Sequence, residues 1–213
     1  MNKFLSTSIG RKVIMAITGF FLITFLLVHL GINLSLFWGK EAFNGASEFM
    51  ATNGVIQVMQ YVLAAGFIMH ILLGIRLELK NRASRSVKYV MNKPSENASL
   101  ASRNMIITGI LVMLFLILHL KDFFVQLKFN AKGGFDTDYD LVTALFKSPL
   151  YTALYVLAFV LLGIHLSHGF QSAFQSTGAN YNKFKACIKN TGIAFSILIA
   201  VGFSSIALYF FFI

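Results

Sequence analysis

Five histidines are the side chains of this 213-residue sequence best equipped for chemistry: His29, His70, His119, His165 and His168. Each sits inside a long apolar run, and none falls in the charged stretches between runs. An ionisable group in hydrocarbon is costly and marks function by default. Neutral imidazole offers a lone pair. Two imidazoles from facing helices can supply both axial ligands of a haem iron, and the interior of a helix bundle can supply the dry cavity around it. For any one histidine taken alone, a hydrogen bond to a neighbouring helix is an equally good account. The pattern of all of them together is what points to a metal.

The elements that must position them follow from composition. Apolar residues make up 57% of the chain and charged residues 12%, against about half and a quarter in soluble domains. There are 23 phenylalanines and two prolines. This excludes a disordered chain, and Cys187, the single cysteine, excludes a disulfide scaffold. A span of hydrocarbon takes about 20 apolar residues. Five such runs predict an all-α integral membrane bundle of five helices, at about residues 13–37, 55–75, 104–127, 150–172 and 191–213. The whole of 1–213 reads as one transmembrane domain, with no soluble domain, internal repeat or low-complexity tract between spans. The first run follows Lys3, Arg11 and Lys12, as a secretory signal would. It is too long for one and lacks a small-residue cleavage site, so it is read as a span.

Basic residues favour the cytoplasmic side of a membrane. Residues 1–12, 76–103 and 173–190 carry 13 lysines and arginines; the opposite connections carry five. The N-terminus is therefore expected in the cytoplasm and the C-terminus outside. This also accounts for the net charge of +10 without nucleic acid. The surplus between Arg76 and Arg103 could in addition dock a partner subunit.

Depth then sorts the histidines. At 1.5 Å per residue, His29 and His119 lie about 24 and 21 Å from the cytoplasmic ends of two outgoing spans. His70 lies about 9 Å from the cytoplasmic end of the second span, and His165 about 22 Å from the outer end of the fourth. Two levels result, with two histidines at each: His29 with His119, and His70 with His165. Two stacked haems would let electrons cross in short hops. His168, three residues after His165, reads as a supporting residue rather than a ligand. Gly66, Gly74 and Gly169 flank His70 and His165, either to admit a flat macrocycle or to pack helices closely. A zinc site would draw its ligands to one point, which two levels do not.

The strings around these residues resemble a known family. They are Leu27-Val28-His29-Leu30-Gly31-Ile32-Asn33, Met69-His70 before Gly74, Leu118-His119 before a charged end, and His165-Leu166-Ser167-His168-Gly169-Phe170-Gln171-Ser172. Glu41-Ala42-Phe43-Asn44 adds to them. In this order they resemble the cytochrome b anchor subunit of succinate dehydrogenase and quinol:fumarate reductase, of the five-helix dihaem type. The resemblance implies two b haems on His29/His119 and His70/His165. It implies an iron–sulfur subunit and a flavoprotein on the cytoplasmic side of a bacterial inner membrane, and exchange of electrons with membrane quinone, menaquinone being favoured. The chain has no flavin fingerprint or cysteine cluster of its own, so dicarboxylate chemistry would belong to its partners.

Quinone chemistry moves protons with electrons and calls for an acid or hydroxyl at the membrane edge. Some members of that family use an acidic residue at the outer start of the second span, which places Glu48 as the candidate here. Gln57, Gln60 and Tyr61 stand next to it, and a solvated loop glutamate is the alternative. Two other functions compete: a dihaem anchor of a hydrogenase or formate dehydrogenase, and a proton-coupled transporter. The transporter would carry carboxylates in its spans, and none is read in the core of these.

Overall fold

The computed structural model describes residues 7–83, 104–129, 134–178 and 181–213. It is all-α, with no strand among the described residues. Helix α1, Ser8–Leu34, starts at Thr7, whose Oγ1 accepts the Gly10 amide at 2.9 Å. It tightens into a 3-10 turn at Ser35–Trp38 and stops at Gly39, whose φ of 96° suits only glycine. Helix α2 is Lys40–Thr52. Asn53 then caps α3, Gly54–Ala83, by accepting the Val55 amide at 3.0 Å. Helix α4, Met105–His119, continues through a π-helical turn at Leu120–Val125 and a last turn at Gln126–Lys128. Helix α5 is Asp138–Phe146, capped by Thr137. Helix α6, Pro149–Thr177, has proline in its first turn and the left-handed Gly178 at its end. Helix α7 is Tyr181–Phe212.

Five helices among the described residues are long and apolar enough to cross a membrane: α1, α3, α4 with its extension, α6 and α7. They outrun the apolar segments read from the sequence. Helix α3 continues to Ala83, and α7 begins at Tyr181 rather than near Thr191. Hydropathy marks where a helix meets hydrocarbon, whereas the backbone hydrogen bonds go on into polar surroundings. The short helices α2 and α5 lie in stretches read only as connections. They pack on each other: Lys40 pairs with Asp140 at 2.7 Å, the Ser47 hydroxyl donates to Asp138, and the Tyr139 amide donates to Asn44 at 3.0 Å. The Lys40 ammonium and the Thr137 hydroxyl hold the Asp140 carboxyl below the usual carboxylate range.

The fifth span is the wedge of the bundle. A Cβ on Gly202 would meet Leu30 of α1 at 2.9 Å, and one on Gly163 of α6 would meet Ala200 of α7 at 3.0 Å. Small residues at these crossings let backbones approach closely enough for dispersion to hold them. The buried core forms there, around Leu30, Tyr155, Phe159, Ile199, Phe203 and Phe210. Helix α3 is different: none of its residues is buried. It leans on α1, where a Cβ on Gly66 would meet Phe21 at 2.9 Å. The Lys80 ammonium reaches the Ser8 hydroxyl at 3.2 Å, so the start of α1 and the end of α3 share one end of the bundle.

Helices α1 and α4 carry an internal repeat, within the spans rather than between them. Met-x-Ile-Thr-Gly-x5-Phe-Leu-x2-His-Leu runs from Met15 to Leu30 in α1 and from Met105 to Leu120 in α4. Each is followed by a returning span with His-x3-Gly: His70 and Gly74 in α3, His165 and Gly169 in α6. The packing repeats as well. A Cβ on Gly74 would lie 3.4 Å from the Met15 methyl, and one on Gly169 would lie 3.6 Å from the Met105 methyl. The repeat escapes a linear reading because its identities are few and scattered through apolar helix, where Leu, Ile, Val and Phe replace one another freely.

Candidate functional site

His29 and His119 face each other from α1 and α4, with ring centroids 5.8 Å apart and planes at 89°. Aromatic rings enclose them. Phe25 stacks on His29 at 5.2 Å one helical turn before it, and Phe115 stands in the same relation to His119 at 5.7 Å. Phe203 of α7 approaches His29 at 5.5 Å, Phe123 approaches His119 at 5.3 Å, and Tyr155 of α6 at 6.2 Å. The His119 Nδ1 is buried and, among the described residues, is the one buried side-chain polar atom left without a hydrogen bond. A native fold leaves such an atom only where an unseen partner or a function accounts for it.

His70 and His165 occupy the other level, each beside a threonine of the preceding span, Thr18 of α1 and Thr108 of α4. His70 Nδ1 lies 3.3 Å from Thr18 Oγ1, and His165 Nδ1 lies 3.4 Å from Thr108 Oγ1. The glycine after each threonine sits under the ring. A Cβ on Gly19 would be 3.8 Å from His70 Cε1, and one on Gly109 would be 3.3 Å from His165 Cε1. His165 lies near both His70 and His168. All five histidines are half-buried. Of the glycines read as clearance for a macrocycle, Gly66, Gly74 and Gly169 each face a side chain of an outgoing span: Phe21, Met15 and Met105.

The spacing of His29 and His119 suits one shared haem iron. Two imidazoles sharing one metal through bonds of about 2 Å have ring centroids roughly 6 Å apart, close to the separation of His29 and His119. Among the described residues no group of three or more His, Cys, Asp or Glu gathers at one point, so a zinc-like cluster has no counterpart there. Cys187 is exposed on α7.

The quinone candidates scatter. Glu48 is exposed on α2, and among the described residues no hydrogen bond reaches its carboxylate. Gln57 is the centre of a polar knot. It accepts from Lys128 at 2.7 Å and from Gln60 at 3.1 Å, and its amide donates to the Ala51 carbonyl at 2.8 Å. Tyr61 is exposed. Sequence reasoning missed Asp122. It was counted with the charged end of the third span, yet it is 8% exposed inside that helix. The Tyr155 hydroxyl donates to it at 3.0 Å, and Lys121 stands 4.0 Å away. Asp122 lies in the π-helical turn, three residues after His119 and seven after Phe115, so helical spacing puts it on their inward face; such turns are frequent at functional sites. Asp122 lies within the span read as 104–127, and its burial puts a carboxyl in the interior, where none was read.

The architecture is thus a membrane-crossing helical bundle that presents imidazoles at two levels. Residues 78–203, more than half of the chain, match the family of the succinate dehydrogenase/fumarate reductase transmembrane subunit, and the chain belongs to that family. The match includes His119, His165 and Thr108, which lies against His165; His29 and His70 lie before it. No curated protein and no solved structure matches the chain in comparisons of either kind.

Proposed function

We propose that the chain is the electron-carrying anchor of a succinate:quinone oxidoreductase and holds two b haems, one between His29 and His119 and one between His70 and His165. The edge-to-face approach of His29 and His119 across α1 and α4 carries this reading. When bound, haem iron would take up and give back single electrons. The chain supplies four imidazoles on four helices and the aromatic wall of Phe25, Phe115, Phe123 and Phe203 that keeps water from one pair. Family membership supports association with the soluble subunits of such a complex.

Charge supports the orientation, and the family resemblance suggests the remaining roles. The end that joins Ser8 to Lys80 carries the basic surplus, so it is the cytoplasmic end and meets the iron–sulfur subunit, behind which the flavoprotein handles the dicarboxylate. Arg85, Lys88, Lys93 and Arg103 of that surplus lie outside the described residues. The opposite end, with Glu48, Gln57 and Gln60, faces a quinone, menaquinone being favoured, in a bacterial inner membrane. Glu48 passes protons there.

A pyridine haemochrome assay on the purified complex tests the reading. Two b haems per chain are expected; one, or none, overturns it.

A further inference from the structure

Thr18 and Thr108 do more than fill a helix interface. The Thr18 hydroxyl donates to the Met15 carbonyl at 3.0 Å, and the Thr108 hydroxyl donates to the Met105 carbonyl at the same distance. A hydroxyl has one proton. With that proton committed to its own helix, each threonine oxygen can only accept from the histidine nitrogen beside it. An Nδ1–H on His70 and on His165 satisfies that oxygen and leaves the lone pair of each ring on Nε2. A histidine that donates its second nitrogen in this way has its tautomer and ring orientation fixed, and becomes a more basic ligand.

We propose that Thr18 and Thr108 are paired positioning residues that fix His70 and His165 as Nε2 ligands and set the electronic character of one haem level alone. This rests on the two-haem reading above. The spacing shows how one helix serves both levels. Thr18 precedes His29, and Thr108 precedes His119, by 11 residues. At about 100° per residue that is three turns plus roughly 20°, so threonine and histidine share a face, about 16 Å apart along the axis. Each outgoing span therefore presents its own histidine to one level and braces the returning span's histidine at the other. Gly19 and Gly109 complete the brace. At Gly109 a Cβ would crowd His165 Cε1 at 3.3 Å and push the ring off Thr108. The His29/His119 level has no matching brace on His119, whose Nδ1 lacks a partner among the described residues.

The test uses the intact complex with Thr18→Val and Thr108→Val, which remove the hydroxyl at nearly constant shape, and the corresponding Thr→Ser variants, which restore it. Potentiometric titration and low-temperature electron paramagnetic resonance report each haem separately. In each Val variant the haem of the His70/His165 level is expected to shift its midpoint potential upward and to change its low-spin signal, or to be bound about 10-fold more weakly. The other haem keeps its values, and Ser returns both to those of the parent. Where a Val variant does not accumulate, Thr→Ala makes the same comparison without added bulk. Two haems with unchanged potentials and signals in the hydroxyl-free variants overturn the proposal. So does a shift confined to the haem that His29→Ala removes. A parent complex without two bis-imidazole signals instead overturns the two-haem reading itself.

Discussion

Tyr155 donates its hydroxyl proton to Asp122 at 3.0 Å in the interior of the bundle, and its ring stands 6.2 Å from that of His119. A carboxylate away from water persists only when its oxygens are satisfied, so the tyrosine, the π-helical turn and the histidine form one structural unit. The Tyr155 ring also meets Phe115, Phe123, Phe146 and Phe159.

Tyr155→Phe keeps that aromatic packing and deletes only the hydroxyl, leaving Asp122 short of its donor. The expected loss is about 1–3 kcal/mol, seen as a lower thermal midpoint in detergent. Asp122→Asn, which still accepts from Tyr155, is expected to lose less. Equal midpoints for Tyr155→Phe and the parent would remove the bond from the stabilising set.

The histidines separate by level. His29→Ala or His119→Ala is expected to remove one b haem, and His70→Ala or His165→Ala the other, as counted by pyridine haemochrome. His168→Ala is expected to keep both. A haem lost on changing His168 would move the fourth ligand from His165 to His168.

Orientation is checked by cross-linking. Lys80, Lys88 and Lys93 are expected to join the iron–sulfur subunit. Links formed through Lys128 or Lys132 alone would invert the topology.

Quinone turnover tests Glu48. Glu48→Gln is expected to slow it while both haems stay bound and reducible from the dicarboxylate side. An unchanged rate would transfer the role to the knot of Gln57, Gln60 and Lys128, where Gln57→Ala is the next variant to assay.

Acid should open the contact between α2 and α5. The Asp140 carboxyl is held low by Lys40 and Thr137. Its contribution is therefore complete above the usual carboxylate range and is lost as pH falls through the depressed value. Hydrogen exchange in Asp138–Phe146 is expected to quicken only at pH below that range. Lys40→Gln should move the onset to higher pH; an onset that does not move would show that Lys40 contributes nothing.

The sequence by itself determined the class of this protein. Five apolar runs, each long enough for a helix to cross hydrocarbon, point to a helical bundle, and histidines confined to those runs sort into two depths by rise per residue alone. It could not determine which faces of those helices meet. Nearly every position is apolar, so no polar face marks the side that turns inward. That is why Thr18 and Thr108, unremarked as residues, became acceptors only once α1 lay against α3 and α4 against α6. It is also why the repeat from Met15 to Leu30 and from Met105 to Leu120 showed itself through shared contacts. Asp122 makes the same point in reverse: its place in the chain, beside Lys121 at the end of a span, reads as solvated. Packing reverses that: three residues after His119 and seven after Phe115, Asp122 shares their inward face, and α6 brings the Tyr155 hydroxyl that satisfies it there.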